Sequence, residues 1–199
     1  MRSRAILTAA ALLLGAGGAA ALSASLWIEA KAAVGQMLLD RAWAQTVETG
    51  TPARPWSWAD TWSVAKVAVP AHGASAIVLA GASGEAMAWG PGHMAGTPEP
   101  GERGLSILAA HRDTHFAFLE HVKPGEAIEV TRADGQTHRF RVTATKIVPW
   151  NASGLDPYTD GYGLALVTCY PFGATTPGPL RYVVMAERQH ASREARMAF

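Results

Sequence analysis

The chain of 199 residues contains a single cysteine, Cys169, which ends the apolar, β-branched run Leu166-Val167-Thr168. A lone cysteine has no partner for an intramolecular disulfide. In an exported protein an unpaired thiol is oxidised unless it has chemical work to do, so Cys169 is a candidate nucleophile. The alternative is structural, because free cysteine is among the most buried residue types and packs as a small hydrophobe. The cysteine alone leaves both readings open.

A catalytic thiol needs a histidine or a cation beside it, because an ordinary thiol is only a few per cent thiolate at neutral pH. Of the seven histidines, His111 directly follows the apolar run Leu105–Ala110 and therefore lies at the end of a predicted strand, where functional side chains are often placed. A structural histidine is the alternative at this position. The histidines in polar or Gly/Pro-rich contexts, for which we expect exposed side chains, are His72, His93, His121, His138 and His190.

Two neighbours of His111 could extend such a site. Asp113 could orient the imidazole in a Cys-His-Asp triad, but aspartate is also a favoured N-cap, and we expect it to cap a short helix from Thr114. A zinc site on His111 and His115 is disfavoured, because the pair lacks both the glutamate of the zincin motif and a helix to carry it.

Arg181 is the third candidate, near the start of the run Leu180–Met185. Alternation places its side chain on the same face as Val183 and Met185, and a guanidinium on an apolar face is costly unless it meets an anion. Arginine stays protonated in proteins, so Arg181 could stabilise an oxyanion or hold a peptide carbonyl but could not act as a base. The alternative is a strand-edge arginine that reaches solvent.

Short alternating or apolar runs, separated by Gly, Pro, Asp and Asn, predict that strands dominate the chain after residue 62. Only Glu85–Trp89 and Thr114–Val122 look helical there, and both are short. The pattern predicts a β-sandwich or a closed barrel with small helical insertions. The predicted strands are Ser63–Val69, Ala76–Ala80, Leu105–Ala110, Ala127–Thr131, Phe140–Ala144, Gly163–Cys169 and Leu180–Val184.

The N-terminal segment differs in kind, because no charged residue occurs from Ala5 to Ile28. A helix needs about 20 apolar residues to cross a membrane, whereas the apolar part of a signal peptide has about 7–15. We therefore expect an uncleaved transmembrane anchor within residues 1–28. Arg2 and Arg4 would then be cytoplasmic, and the rest of the chain would lie on the outer side of the inner membrane. A cleaved signal peptide is the alternative, since small residues of the A-x-A kind also occur there, and both readings export the domain.

Residues 29–61 join this segment to the β-rich part. Apolar residues at helical spacing predict that the helix continues to Val47 as a stalk or an interfacial helix, after which one glycine and two prolines break regular structure. We place the domain boundary near Trp62. Trp56, Trp58 and Trp62 could hold a peptide or lipid headgroups, but we expect them to fold back onto the domain, because an aromatic ring buries much area at low entropic cost.

Composition and charge narrow the choice of function. The chain is 49% apolar, which suffices for one packed domain with appendages, and 17 Lys+Arg against 16 Asp+Glu give a net charge of +1. Nucleic-acid-binding proteins usually carry a basic stripe or a strongly basic domain. The sequence has neither, so we exclude nucleic acid as a partner.

Three stretches taken together resemble the sortase family of cysteine transpeptidases. The order of histidine, Thr-Cys at a strand end and then arginine is that family's pattern, and the first two stretches look most like class D and Gram-negative "class GN" sortases. Ala165 departs from the pattern, because the family often has threonine there, but it is not a proposed catalytic group. The stretches are Ala110-His111-Arg112-Asp113-Thr114-His115-Phe116, Leu166-Val167-Thr168-Cys169-Tyr170-Pro171-Phe172 and Leu180-Arg181-Tyr182.

The resemblance implies a mostly β fold: an eight-stranded sortase-type barrel with short helices at residues 62–190, preceded by the N-terminal transmembrane helix and followed by a tail at residues 191–199. It implies a protein partner that carries an LPxTG-like sorting signal, and an amine acceptor that the sequence does not identify. Sortases need no cofactor, and the sequence has no acidic cluster that would suggest the calcium site of some family members.

The resemblance also implies roles for single residues. Cys169 would attack the threonine carbonyl of the sorting signal to form a thioester, which an amine or water then resolves. His111 would move protons to and from the amines, and Arg181 would stabilise the oxyanion or position the substrate. Thr168, next to the nucleophile, would contact the substrate.

Other functions fit the sequence less well. A papain-like peptidase has its cysteine before its histidine in the chain, and an L,D-transpeptidase carries a Ser-His-Gly-Cys type motif that is absent around Cys169. The rival from another class is a non-catalytic, membrane-tethered β-domain with a buried structural cysteine. Such a cysteine would be inert to thiol reagents.

Overall fold

Residues 2–189 are described by a computed structural model. The chain divides into two compact units, of which the first ends at Leu38 and the second begins at Leu39. A single helix, α1 (Arg2–Thr49), forms the first unit and enters the second. From Leu12 onward this helix is long and apolar enough to cross a membrane, with a mean hydropathy of 1.4. No other helix of the described residues is both long and apolar enough to do so.

Eight strands of the second unit close into a barrel. Their bounds are β1 (Ser63–Val69), β2 (Ala74–Ala80), β3 (Gly92–His93), β4 (Gly104–Ala109), β5 (Ala127–Arg132), β6 (Thr137–Pro149), β7 (Tyr162–Tyr170) and β8 (Leu180–Arg188). Around the barrel they follow the order β1-β2-β3-β4-β7-β8-β6-β5. The pairs β2–β3 and β4–β7 are parallel, and the others are antiparallel. The predicted eight-stranded barrel is confirmed, although β3 is too short to show a sequence pattern.

Short helices interrupt the strands, as predicted. The helix α2 (Gly84–Met87) begins after Ser83, whose side-chain oxygen accepts a hydrogen bond from the Ala86 amide at 3.2 Å and so caps the helix. The helix predicted at Thr114–Val122 is shorter than expected, because only Ala117–His121 is helical and its geometry is 3₁₀.

Alternate side chains of the strands fill the barrel interior. In the middle of β7 and β8 the inward-facing Leu164, Leu166, Val184 and Ala186 are fully or almost fully buried, as the period of two along a strand requires. The opposite face of β4, β7 and β8 carries a second apolar cluster on the outside of the barrel. The buried residues of this outer cluster are Leu105, Ile107, Ala165 and Val183.

The loop between β6 and β7, residues 150–161, covers the outer cluster with the side chain of Leu155. The backbone amide of Leu105 donates to the carbonyl oxygen of Pro157 at 3.0 Å, which ties this loop to β4. Gly104 has a positive φ of 114°, and a Cβ there would collide with the same carbonyl oxygen. Glycine at this position therefore lets the loop approach the start of β4.

The end of α1 and the linker belong to the same compact unit as the barrel. Leu39 is fully buried, and the ring of Trp56 meets that of Trp89 edge to face at 5.0 Å. Trp58 is 82% exposed, so the expectation that the linker tryptophans fold back onto the domain holds for Trp56 and not for Trp58. This unit begins before the boundary that we placed near Trp62. The residues around Leu39 are Ile77, Leu79, Trp43 and Trp89.

Several histidines for which we expected exposure are not exposed. His138 is buried, with 7% of its surface exposed, and His72 pairs with a glutamate at 2.7 Å. His93 is half-buried and its Nε2 contacts the carbonyl oxygen of Pro98 at 2.9 Å. His121 is exposed as expected, whereas His190 lies outside the described residues.

The buried His138 favours its neutral form. Burial lowers the pKa of this imidazole below its ordinary value, and the positive charges of Arg188 and Arg132 lower it further, while Asp134 opposes them. The unfolded chain then binds a proton more readily than the folded one. Stability from this group is complete above the unfolded pKa of about 6.5 and is lost as pH falls below it.

We expect the unfolding temperature of the full chain in detergent to decrease as the pH is lowered from about 7.5 to 5. The decrease should be smaller in His138→Gln. The matched control is His121→Gln, which changes an exposed histidine and should follow the wild type. Thermal unfolding across this pH range measures the effect. An equal fall in His138→Gln and the wild type would contradict it.

Candidate active site

Cys169 and Arg181 are direct cross-strand partners in the antiparallel pair of β7 and β8. Residues paired in this way have Cα atoms about 5 Å apart and side chains on the same face. The face is the outer one, because Val167 and Val183, two residues further from the strand ends, belong to the outer cluster. Arg181 thus shares a face with Val183 and Met185, as alternation predicted.

His111 follows the end of β4, which lies on the opposite side of β7 from β8. The parallel pairing of β4 with β7 includes Ala109 and Val167, and the amide of Ala110 continues it by donating to the carbonyl oxygen of Val167 at 3.1 Å. Cys169 lies two residues beyond Val167 on the outer face, and His111 lies two residues beyond Ala109, just past the end of β4. Neighbouring strands are about 4.8 Å apart, so the half-buried His111 follows the strand on one side of β7, and Arg181 lies on the strand on the other side.

Thr168 faces the barrel interior. Its side chain is 2% exposed, and its hydroxyl donates to the carbonyl oxygen of Ala110 at 2.8 Å. This position differs from the substrate contact that we expected, because alternation along β7 turns Thr168 inward wherever Cys169 is turned outward. The hydrogen bond joins β7 to the end of β4 one residue before the thiol and the imidazole.

Arg181 is half-buried and is held by its own loop. Its Nη1 donates to the carbonyl oxygens of Gly178 and Leu180, each at 2.9 Å. Across the described part of the chain, its Nε and Nη2 atoms have no hydrogen-bond partner. The edge of the guanidinium formed by Nε and Nη2 therefore stays available to an oxygen atom of a ligand.

Asp113 does not perform the role that we expected for it. The 3₁₀ helix begins at Ala117, and the residue at its N-cap position is Phe116, which makes no side-chain capping bond. The Asp113 side chain is exposed and makes no hydrogen bond or ion pair within residues 2–189. The predicted N-cap is therefore wrong, and no hydrogen bond joins this carboxylate to His111.

The imidazoles of His111 and His115 are close enough to interact. Burial lowers the pKa of His115, and the positive charge of His111 lowers it further. No group of three or more His, Cys, Asp or Glu side chains in the described residues could hold a metal ion.

A cavity of about 120 Å³ lies beneath the β6–β7 loop, on the outer face that also carries Cys169. Val183 and Met185 contribute to its floor, and Leu155 and Asp156 to the loop side. Sequence reasoning missed this feature, because the loop is irregular and its contact with β4 and β8 is long-range. The run of alternate apolar residues on β8 was the one signal that pointed to an apolar outer face.

The chain is similar to proteins of known class. The family model described as a sortase domain matches residues 67–189. A curated relative, Sortase D of Bacillus subtilis (strain 168), is 26% identical over 121 residues, which are 60% of this chain and 61% of the relative. The match thus spans about three fifths of that relative's length.

Solved structures of sortases are also similar to this chain. Sortase C-1 from Actinomyces oris is 26% identical, with a TM-score of 0.55 over 63% of this chain and 73% of that chain. A Clostridium perfringens Sortase D5 transpeptidase has a TM-score of 0.62 over 79% of this chain and 99% of that chain. Its identity is 17%, so this second likeness concerns the fold alone.

The buried hydroxyl of Thr168 yields a test of its role. Thr168→Val keeps the shape but leaves the Ala110 carbonyl without its donor, so we expect the free energy of unfolding to fall by about 1–3 kcal/mol. Thr168→Ser keeps the donor and is the matched control. Chemical unfolding measures the difference. Unchanged stability in Thr168→Val together with a raised KM would instead favour a substrate contact.

Proposed function

The chain belongs to the sortase family, and on that basis we propose that it is a membrane-anchored cysteine transpeptidase that cleaves an LPxTG-like sorting signal and transfers the product to an amine or to water. The strand register carries this proposal. It sets Cys169 on the middle strand of three, with Arg181 on β8 at one side and, at the other side, β4, whose last residue precedes His111 by two positions. A nucleophile, a proton carrier and an oxyanion-binding cation are the groups that acyl transfer needs.

In the first half of the reaction the thiolate of Cys169 attacks the carbonyl carbon of the signal's threonine. The carbonyl oxygen becomes an oxyanion, to which the free edge of the Arg181 guanidinium donates. The carbon–nitrogen bond to glycine then breaks, and the protonated imidazole of His111 gives its proton to the departing amine. The products are a thioester on Cys169 and a free glycine segment.

In the second half an amine attacks the thioester carbon. The neutral imidazole of His111 takes a proton from the attacking nitrogen, the carbon–sulfur bond breaks, and the Cys169 thiolate is regenerated. Water can replace the amine, in which case the product is a carboxylic acid. The thioester conserves the acyl energy of the cleaved bond, so transfer to an amine needs no cofactor.

The outer apolar face gives the sorting signal a path to the thiol. Val183 and Met185 lie two and four residues from Arg181 along β8, which is about 7 and 13 Å. The leucine of an extended LPxTG segment lies three residues before the threonine, or about 10 Å from it. An apolar side chain at that distance would reach the cavity under the β6–β7 loop, against Leu155.

The N-terminal helix is a candidate anchor, and we propose that it spans the inner membrane once. The length and apolarity of α1 from Leu12 onward support this proposal. Arg2 and Arg4 favour a cytoplasmic N-terminus by the positive-inside rule, which puts the barrel on the periplasmic or outer side. Release from membranes by sodium carbonate alone, without detergent, would contradict the spanning helix.

A non-catalytic β-domain is the second candidate. It would explain an unpaired cysteine that is only partly accessible, as Cys169 is. The side chains around the thiol favour the enzyme, because Arg181 has unbound nitrogen atoms on the same outer face. The two candidates differ in whether the thiol reacts with a peptide.

We expect a synthetic LPxTG peptide, mixed with the full chain in detergent, to leave an acyl group on Cys169 that intact-protein mass spectrometry detects. Cys169→Ala should form no adduct, and cleavage of the peptide should fall to the level without enzyme. His111→Ala and Arg181→Ala should each lower the rate at least about 100-fold, since each removes one acid–base or oxyanion-binding group.

The matched controls are a peptide with a scrambled signal and the variant Arg139→Ala, which changes a surface arginine paired with Glu129. Both distinguish a loss of chemistry from a general effect on the protein. Full cleavage by Cys169→Ala would refute the mechanism. An unmodified wild type with a thiol that resists alkylation would favour the non-catalytic domain.

A further inference from the structure

Arg112, the residue after His111, extends its side chain to the loop between β7 and β8, residues 171–179. Its Nη2 atom donates to two carbonyl oxygens of this loop, those of Ala174 and Thr176, the latter at 3.0 Å. One guanidinium nitrogen thus bridges two backbone positions of a loop that has no regular structure. No other hydrogen bond within residues 2–189 joins this loop to the segment that follows β4.

The other nitrogen of the same guanidinium is buried and unpaired. Nη1 of Arg112 has no accessible surface and no hydrogen-bond partner in the described residues. A buried donor without a partner destabilises the folded state, so the position is not optimised for stability. A buried nitrogen is also out of reach of a substrate on the outer face. Arg112 can therefore influence the chemistry only through the groups that it holds.

Those groups are the neighbours of the thiol. The β7–β8 loop connects Cys169 to Arg181, and its far end is bound in turn by Arg181, whose Nη1 donates to the carbonyl oxygen of Gly178. Guanidinium groups therefore hold the loop in its middle and at its far end. Arg112 provides the tie to β4, and because it directly follows His111 in the chain, it restrains the backbone from which the imidazole projects.

We propose that Arg112 is a positioning residue for the acyl transfer. It locks the end of β4 to the β7–β8 loop, so that the imidazole of His111 stays beside Cys169 while Arg181 flanks the thiol from the other side. The inference rests on the proposed function and adds to it a residue that touches neither the substrate nor the reacting atoms. A shift of about 1 Å in such a group costs up to 100-fold in rate.

The test compares Arg112→Lys and Arg112→Ala with the wild type, all as full chains in detergent. Lysine keeps the charge, but its nitrogen is one bond closer to Cα and lacks the planar guanidinium geometry, so we expect it to fall short of the two carbonyl oxygens. Arg139→Lys and Arg139→Ala are the matched controls, because Arg139 is paired on the strand pair β5–β6, which carries none of the three site residues. Arg112→Lys also keeps the test usable if Arg112→Ala does not fold.

Three quantities are measured: kcat and KM for an LPxTG peptide, the unfolding temperature, and the pH profile of Cys169 alkylation by iodoacetamide. We expect both Arg112 variants to lower kcat by about 10- to 100-fold with KM changed less than about threefold. Their alkylation profiles should move towards that of His111→Ala, which reports the loss of an imidazole beside the thiol. The Arg139 variants should match the wild type in kcat and in profile.

A wild-type kcat and alkylation profile in Arg112→Lys and Arg112→Ala would overturn the inference. A fall in kcat that only matches the loss of folded protein, with a wild-type pH profile of Cys169 alkylation, would also overturn it. Failure of the proposed function is a separate result, because a wild type that forms no acyl-enzyme can still show whether Arg112 controls the contact between His111 and Cys169. The alkylation profile alone then decides the role of Arg112.

Discussion

The whole site depends on the parallel pairing of β4 with β7 beside the antiparallel pairing of β7 with β8. This arrangement brings the end of β4, the end of β7 and the start of β8 to the same edge of the barrel. A slip of one residue in β7 would turn Cys169 inward and Thr168 outward, because side chains alternate between the two faces. Buried Leu164 and Leu166 oppose such a slip, since it would remove both from the barrel core. The hydrogen bond from Thr168 to Ala110 fixes the same register at the site itself.

Short-range patterns in the sequence predicted seven of the strands and the face of Arg181, because alternation is a local property of each strand. The spatial order β4-β7-β8 is not local, since the sequence between β4 and β7 contains two other strands and several loops. Only the resemblance of three separated motifs to one family joined His111, Cys169 and Arg181 into a site before the structure was known. The part of β6 that follows Ala144 was missed because a bulge between Val142 and Ala144 breaks the alternation of the strand.

Two further expectations failed for identifiable physical reasons, and a third stays a prediction. Asp113 carries a capping signal, but the chain makes a turn there and becomes helical only at Ala117. The substrate contact of Thr168 stays a prediction, which rested on its closeness to the nucleophile in sequence, whereas neighbours on a strand face opposite sides. His138 was expected to be exposed because its neighbours are polar. It alternates in step with the buried Phe140 and Val142, and that pattern could have placed it on the inward face of β6.

The central claim is that one outer face carries the thiol between the imidazole and the guanidinium, with an apolar path leading to it. A crystal structure of the full chain with a sorting-signal peptide joined covalently to Cys169 tests this claim most directly. The account predicts that the carbonyl oxygen of the bound threonine lies within hydrogen-bond distance of Arg181, that His111 faces the position of the leaving amine, and that the peptide runs along β8 towards Met185. A peptide that leaves the thiol in another direction, with both His111 and Arg181 out of reach of the reacting carbonyl, would contradict it.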